Sequence, residues 1–199
     1  MKNVAAVIAA LGLIFGPLIG AWASADAPLE ELRVQVDRVL KIMGAQDFKG
    51  NLPSKERAQV RNILHDVFDF EETAKRSLAR HWHSLRPEEQ SEFVRVVAEA
   101  VVRSYIKQIE EYGVKISYVG QVIDGDRTVV RTRITTRSGT EVPIDYRMLK
   151  RGEQWRVYDF TVKGASAVAS YRLYFNEILS PPRWSDLPPR DWTISDVRP

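Results

Sequence analysis

Between residues 114 and 162 the hydrophobic period is two, and short turns break it into four segments. Val114, Ile116 and Tyr118 alternate with Lys115, Ser117 and Val119. Val130, Thr132 and Ile134 oppose Arg131 and Arg133 within Thr128 to Thr136, and Val142, Ile144, Tyr146 and Met148 oppose Glu141, Asp145 and Arg147. Gln154 to Val162 supplies the fourth segment. Alternation of this kind marks a half-buried strand. Asp124-Gly125-Asp126, Ser138-Gly139 and Arg151-Gly152 are turn signals too short for a crossover, so the segments form an antiparallel meander. Such a sheet has one wet, charged face and one dry face, and the dry face must be covered.

The preceding chain supplies the cover. Pro28 opens a helix on which Leu29, Leu32, Val36, Val39, Leu40 and Met43 recur at helical spacing, ending at Gly44 or at Gly50-Asn51. A short helix is expected from about Ser54 to His65. Asp69 and Glu72 have capping-box spacing and start a helix carrying Thr73 to Trp82. Pro87 with Glu88 and Glu89 starts a long helix running to about Tyr112. Its charges, Glu92, Arg95, Glu99, Arg103, Lys107 and Glu110, occupy one stripe, with Glu99 and Arg103 in the favourable i,i+4 order. Most of the remainder is apolar, the reverse of an ordinary surface helix, so this helix is either a central core helix or one wall of a cavity. Gly164 ends the sheet, and a last helix is expected from about Ala165 to Leu179, with Val168, Tyr171, Phe175 and Ile178 on one face. The expected class is α+β: a helical layer packed on one face of a four-stranded twisted antiparallel sheet.

The ends of the chain bear on location. Lys2 precedes an apolar run from Val4 to Ile19, and Ala21-Trp22-Ala23-Ser24-Ala25 offers small residues where a signal peptidase reads. Residues 1–25 thus read as a secretory signal peptide, the alternative being a retained anchor. The run falls short of the ~20 residues of a spanning helix, and no basic cluster follows it. Residues 26–179 make one domain, and 180–199 form a tail with Pro181, Pro182, Pro188, Pro189 and Pro199. Cysteine is absent, so packing alone holds the fold. The signal form points to the periplasm. A net charge of +3 gives no argument for nucleic acid. The Lys75, Arg76 and Arg80 cluster, the Arg131, Arg133 and Arg137 cluster and the Lys150-Arg151 pair read first as solvated faces, and second as steering for an acidic partner or membrane surface.

Catalytic chemistry finds little support. His81 and His83 flank Trp82 at the end of an expected helix, no Asp or Glu lies within four residues of the pair, and His65 is remote in sequence. No metal site is therefore expected. A nucleophile elbow and a phosphate loop are both absent. Asp159, on an otherwise apolar strand, reads first as a hydrogen-bonded structural acid at a bulge or strand end and second as a buried general base.

Several stretches resemble the MlaC, or toluene-tolerance, family of periplasmic phospholipid-binding proteins. They are Phe68-Asp69-Phe70-Glu71-Glu72-Thr73-Ala74-Lys75-Arg76-Ser77-Leu78, Leu85-Arg86-Pro87-Glu88-Glu89-Gln90-Ser91-Glu92-Phe93, and Ser104-Tyr105 with Ile109 and Tyr112. They continue with Val142-Pro143-Ile144-Asp145-Tyr146-Arg147-Met148 and Trp155-Arg156-Val157-Tyr158-Asp159, leading to Gly164, Ala165-Ser166 and Tyr171-Arg172 with Phe175. A proline-rich tail stands where the family usually ends in a helix rich in Leu and Lys. The resemblance implies a carrier of phospholipid between an outer-membrane lipoprotein complex and an inner-membrane transporter complex, maintaining outer-membrane lipid asymmetry, with no cofactor, no nucleotide and no catalytic residue.

The physics of that task is simple. Each buried CH₂ is worth about 0.8 kcal/mol, so one sixteen-carbon chain in water costs on the order of 12 kcal/mol. A carrier must enclose an apolar cavity near the upper end of ordinary pockets, roughly 1,000 Å³. The candidate walls are Val97, Val101 and Tyr105 on the long helix, Ile134, Ile144, Tyr146, Val157, Phe160 and Val162 on the sheet, and Val168, Tyr171 and Phe175 on the last helix. About half are expected to touch lipid and the rest to be filled core. Arg147 and Arg172 are candidate headgroup-rim cations. The alternatives are a hopanoid or other sterol-like ligand, a small α+β enzyme using Asp159 as base, and an assembly protein that contacts other envelope proteins through its tail and basic surface.

Overall fold

A computed structural model describes residues 27–44, 52–112, 115–136 and 138–178. The expected signal peptide, Val114, Arg137 and the proline-rich tail lie outside them.

The element order is α1 (Ala27–Gly44), α2 (Ser54–Val67), α3 (Phe70–Leu78), a 3₁₀ turn (Ala79–Ser84), α4 (Pro87–Tyr112), β1 (Lys115–Asp124), β2 (Arg127–Thr135), β3 (Glu141–Arg151), β4 (Gln154–Val162), β5 (Ala165–Ser166) and α5 (Ala167–Ile178). The strands lie in sequence order, each antiparallel to the next. The meander is therefore as expected, but it has five strands. Lys163 and Gly164 both take positive φ, 51° and 86°, and fold the chain straight back so that Ala165 and Ser166 pair with Val162 and Thr161. The last helix consequently begins at Ala167.

Pairing fixes the faces. Ile116, Ile134 and Val142 form one cross-strand row, and Tyr118, Thr132, Ile144 and Val162 the next. Val130, Tyr146 and Phe160 form a third row, then Ile123, Thr128, Met148 and Val157 a fourth. All of these face the helices. Arg131, Arg133, Asp145 and Arg147 face away. Two bulges interrupt the pairing, one between Tyr118 and Gly120, the other placing Tyr158 as an extra residue between Val157 and Asp159. The second lets Val157 and Phe160, of opposite parity, share a face.

The helical layer is tied to the sheet at several points. The first turns of α1 bridge the first and fourth strands: Leu29 N–H donates to Gln121 Oε1 (2.9 Å), and Trp155 N–H to Glu31 Oε2 (2.9 Å). Phe68 makes a parallel bridge with Val157, and Asp69 N–H donates to Val157 O (2.8 Å), inserting the α2–α3 junction at the edge of β4. Asp69 caps α3 by accepting from Glu72 N–H (2.9 Å), as its spacing predicts.

One helical expectation needs correction. The helix starting at Asp69 does not reach Trp82. It stops at Leu78, Ala79 adopts φ 47°, and a 3₁₀ turn carries Trp82 into the core. On α4, Glu99 pairs with Arg61 of α2, a tie between helices in addition to any along the helix. The reversed proportions of α4 do hold: Phe93, Val97, Ala98, Ala100, Val101, Val102 and Ile106 are buried. Its close backbone neighbours are α2 and α3, and among the described residues no strand approaches it to the same extent.

Among the described residues no helix is long and apolar enough to cross a membrane, and no cluster of His, Cys, Asp or Glu is arranged to hold a metal ion.

Candidate functional site

The helix-facing side of the sheet is not uniformly packed. In the fourth row Thr128, Met148 and Val157 are closed off, with no accessible surface at Val157, while Ile123 at the β1 edge is exposed. In the third, Val130 and Tyr146 are equally closed. In the first row Ile116, Ile134 and Val142 all retain accessible surface although they face the helices, as do Val162 and Phe160 on β4. Leu40 and Ile42 on α1 and Val94 on α4 are likewise apolar and only partly covered. Across β2, β3 and β4 the interior thus grades from a filled end, where β1–β2 and β3–β4 turn, to an open apolar end, where β2 passes into β3.

This gradient sorts the candidate walls. Val97, Val101, Ile144, Tyr146, Val157, Val168, Tyr171 and Phe175 are buried. Tyr171 and Phe175 stack with each other, and Phe175 meets Phe93 edge-on at 5.1 Å, so the α5 candidates close the seam with α4. Tyr105, Ile134, Phe160 and Val162 retain accessible surface. For Tyr105 that surface coexists with desolvation strong enough to push its hydroxyl up to about 12. Burial of the phenol end is enough to disfavour the charged form while other atoms of the side chain stay accessible.

The candidate rim cations lie elsewhere. Arg147 points away from the helices and donates to Asp159 Oδ2 (3.0 Å). Arg172, on the exposed side of α5, donates through Nε and Nη2 to Arg76 O (3.0 and 2.9 Å). Neither sits beside the open apolar row.

Asp159 is 3% exposed and fully engaged. Oδ2 also accepts from Ser166 Oγ (2.7 Å), and Oδ1 accepts from Val168 N–H (3.0 Å) in the first turn of α5. With Arg147 it locks β3, β4, β5 and α5 together at the bulge. This is the structural acid that the sequence offered as its first reading, and its position opposite Tyr146 and Phe160 keeps the carboxylate off the helix-facing side. His81 contacts Asn176 Oδ1 (3.1 Å), and His83 is exposed.

A groove of about 720 Å³ lies at the filled end, between the start of α1, the end of α2 and the β3–β4 hairpin. Glu30, Glu31, Asp66, Gln154, Trp155 and Arg156 give it a polar wall over a floor of Leu32, Val67 and Met148. None of the candidate wall residues lines it. Nothing in local sequence marks it, because Glu31 and Trp155 meet only through tertiary packing.

Tyr118 is a residue that sequence reading placed in the alternation but not in the site. Its hydroxyl is buried without a hydrogen-bond partner. Its signal was its parity, shared with Ile116 on a strand whose face is apolar.

A family model described as MlaC protein matches residues 33–186. Among solved structures, a phospholipid-binding protein from Ralstonia solanacearum, determined in complex with a phospholipid, is similar to this chain with 25% identity and a TM-score of 0.68. The similarity covers 78% of this chain and 88% of that one. Comparison with curated proteins gives no match.

Proposed function

This chain belongs to the MlaC family, and from that premise we propose that it is a periplasmic phospholipid carrier that holds acyl chains between α4 and the sheet. The observation that carries the reading is the open end of the interior. Ile116, Ile134 and Val142, with Val162 and Phe160, form a continuous apolar surface on the helix-facing side that the protein's own side chains leave partly uncovered. Apolar surface left this way is worth about 25 cal/mol per Å² to any hydrocarbon that covers it. The phospholipid found in the Ralstonia protein gives the occupant its chemical class. In this reading affinity comes from covered area and no bond is made or broken. Lipid passes between an outer-membrane lipoprotein complex and an inner-membrane transporter complex, which helps to keep the outer membrane asymmetric. The leader over residues 1–25 directs export.

Native mass spectrometry of the purified protein tests the reading. The expected spectrum shows a phospholipid mass added to the chain, exchangeable with labelled phospholipid from vesicles. A sterol-like mass in its place would redirect the ligand class. A bare chain that takes up no lipid from vesicles overturns the carrier reading.

A further inference from the structure

Buried hydroxyls in a folded protein almost always have partners. On the helix-facing side of this sheet the threonines obey the rule: Thr132 Oγ1 donates to Ile144 O (2.9 Å) and Thr128 Oγ1 to Val122 O (3.0 Å). The tyrosines on the same side do not. Tyr118 of β1 and Tyr146 of β3 flank β2, Tyr118 paired with Thr132 and Tyr146 with Val130, so they stand in adjacent rows of one face with a single strand between them. Tyr105 of α4 is near enough to act electrostatically on both. The Tyr118 hydroxyl is buried without a partner. Among the described residues the Tyr105 and Tyr146 hydroxyls donate to no protein atom either.

Burial raises the pKa of each of these phenols, with Asp37 and Tyr105 adding to the effect at Tyr118 and with Tyr105 and Tyr118 adding to it at Tyr146. They are therefore neutral donors, and among the described residues they have no acceptor. The charges acting on Tyr118 are Asp37, Arg33 and Glu30 of α1, acidic on balance, and Arg33 is already held by Glu30. A buried phosphate would meet repulsion and, among the described residues acting on Tyr118, no unengaged cation, whereas a neutral carbonyl oxygen meets neither difficulty. The spot adjoins the open apolar row, because Tyr118 is two residues along β1 from Ile116.

We propose that the Tyr105, Tyr118 and Tyr146 hydroxyls form a pad that donates hydrogen bonds to the ester carbonyls joining acyl chains to glycerol, selecting ester-linked glycerolipids over lipids without such carbonyls. The proposal rests on the carrier reading above and deepens it: the row of Ile116, Ile134 and Val142 takes the chains, and the tyrosines take the linkage.

The test titrates the full chain with dioctanoyl phosphatidylglycerol and with its dioctyl ether counterpart, which has the same headgroup and chain length and lacks both carbonyls. The wild-type protein is expected to favour the diester about tenfold, as one or two hydrogen bonds of ordinary strength require. The Tyr105→Phe, Tyr118→Phe and Tyr146→Phe variants should each weaken diester binding and leave diether binding unchanged, and the triple variant should lose the preference, which also cancels any difference in aqueous solubility. Equal binding of the two lipids by the wild-type protein, a comparison that needs no variant to fold, overturns the pad and leaves the carrier reading standing. So does equal weakening of both lipids by the Phe variants. Binding of neither lipid overturns the carrier reading and the pad together.

Discussion

The two ends of this sheet use the same residue types to opposite effect. At the filled end Met148 and Val157 lie opposite each other under α1 and α2, with the Phe68 bridge and the Asp69-to-Val157 hydrogen bond pinning the helical layer down. At the open end Ile116, Ile134 and Val142 are as apolar and face the same way, but no backbone tie holds a helix against them among the described residues. The difference lies in what sits above each row and not in the rows themselves. A chain that must be stable and also present apolar surface can divide the two duties along one sheet, with close packing at one end and partly uncovered side chains at the other.

Placing a carboxylate at each end breaks the comparison most sharply. Val157→Glu puts a charge where no surface is accessible, and is expected to cost about 3–5 kcal/mol of stability. Ile134→Glu puts the same charge on partly accessible surface, and is expected to cost about 1 kcal/mol while removing most bound lipid. Urea unfolding with native mass spectrometry on the same samples separates the two outcomes. If Ile134→Glu destabilises as much as Val157→Glu, both ends are filled core.

Asp159→Asn probes the lock at the bulge, on the other face from both rows. The amide keeps the shape but loses the ion pair with Arg147, and it cannot accept at both oxygens from Ser166 and Val168. The expected loss is about 2–3 kcal/mol with lipid content unchanged. A variant that keeps wild-type stability and loses a catalytic turnover would support Asp159 as a base instead.

How much of this was readable beforehand depends on the kind of information required. The meander and its wet and dry faces follow from local periodicity, so Val130, Thr132 and Ile134 could be assigned one face directly. The bulges do not follow, because an extra residue is defined only against a partner strand. The parity shift at Tyr158 therefore decides from outside β4 that Asp159 faces Arg147 while Val157 and Phe160 face the helices. Separating open positions from filled ones was equally out of reach. Ile134 and Ile144 are the same residue on neighbouring strands, yet Ile144 is buried and Ile134 keeps accessible surface, a difference that no local pattern carries. Arg147 looked like a rim cation because its sign suits a headgroup, but sign carries no information about face.

A smaller effect is expected at the cap of α3, which holds the filled end to β3 and β4. Asp69 accepts from Glu72 N–H and also from Arg151 Nε (2.7 Å) in the β3–β4 turn. Asp69→Ala should cost about 1 kcal/mol in the cap and a further few tenths in the partly exposed ion pair. Asp69→Asn keeps the cap and loses only the pair. Urea midpoints of the two variants, at equal m-value, apportion the effect. If the filled end is the stable one, lipid content stays the same in both.

The smallest expected change runs the other way. Ala79 takes φ 47° with ψ −113° where α3 gives way to the 3₁₀ turn, and this conformation lets Trp82 reach the core in place of continuing the helix. An L-residue with a Cβ holds such a conformation at a cost of about 1–3 kcal/mol, and glycine holds it without that cost. Glycine also gives the unfolded chain more freedom, which offsets about 0.4–1 kcal/mol. Ala79→Gly is therefore expected to raise stability by about 0.5–1 kcal/mol, seen as a small upward shift in the urea midpoint. Because the relief falls at the packed helix junction, it should leave the amount of bound lipid as it was. A loss of stability would mean that the backbone at Ala79 is relaxed, and that α3 ends there for another reason.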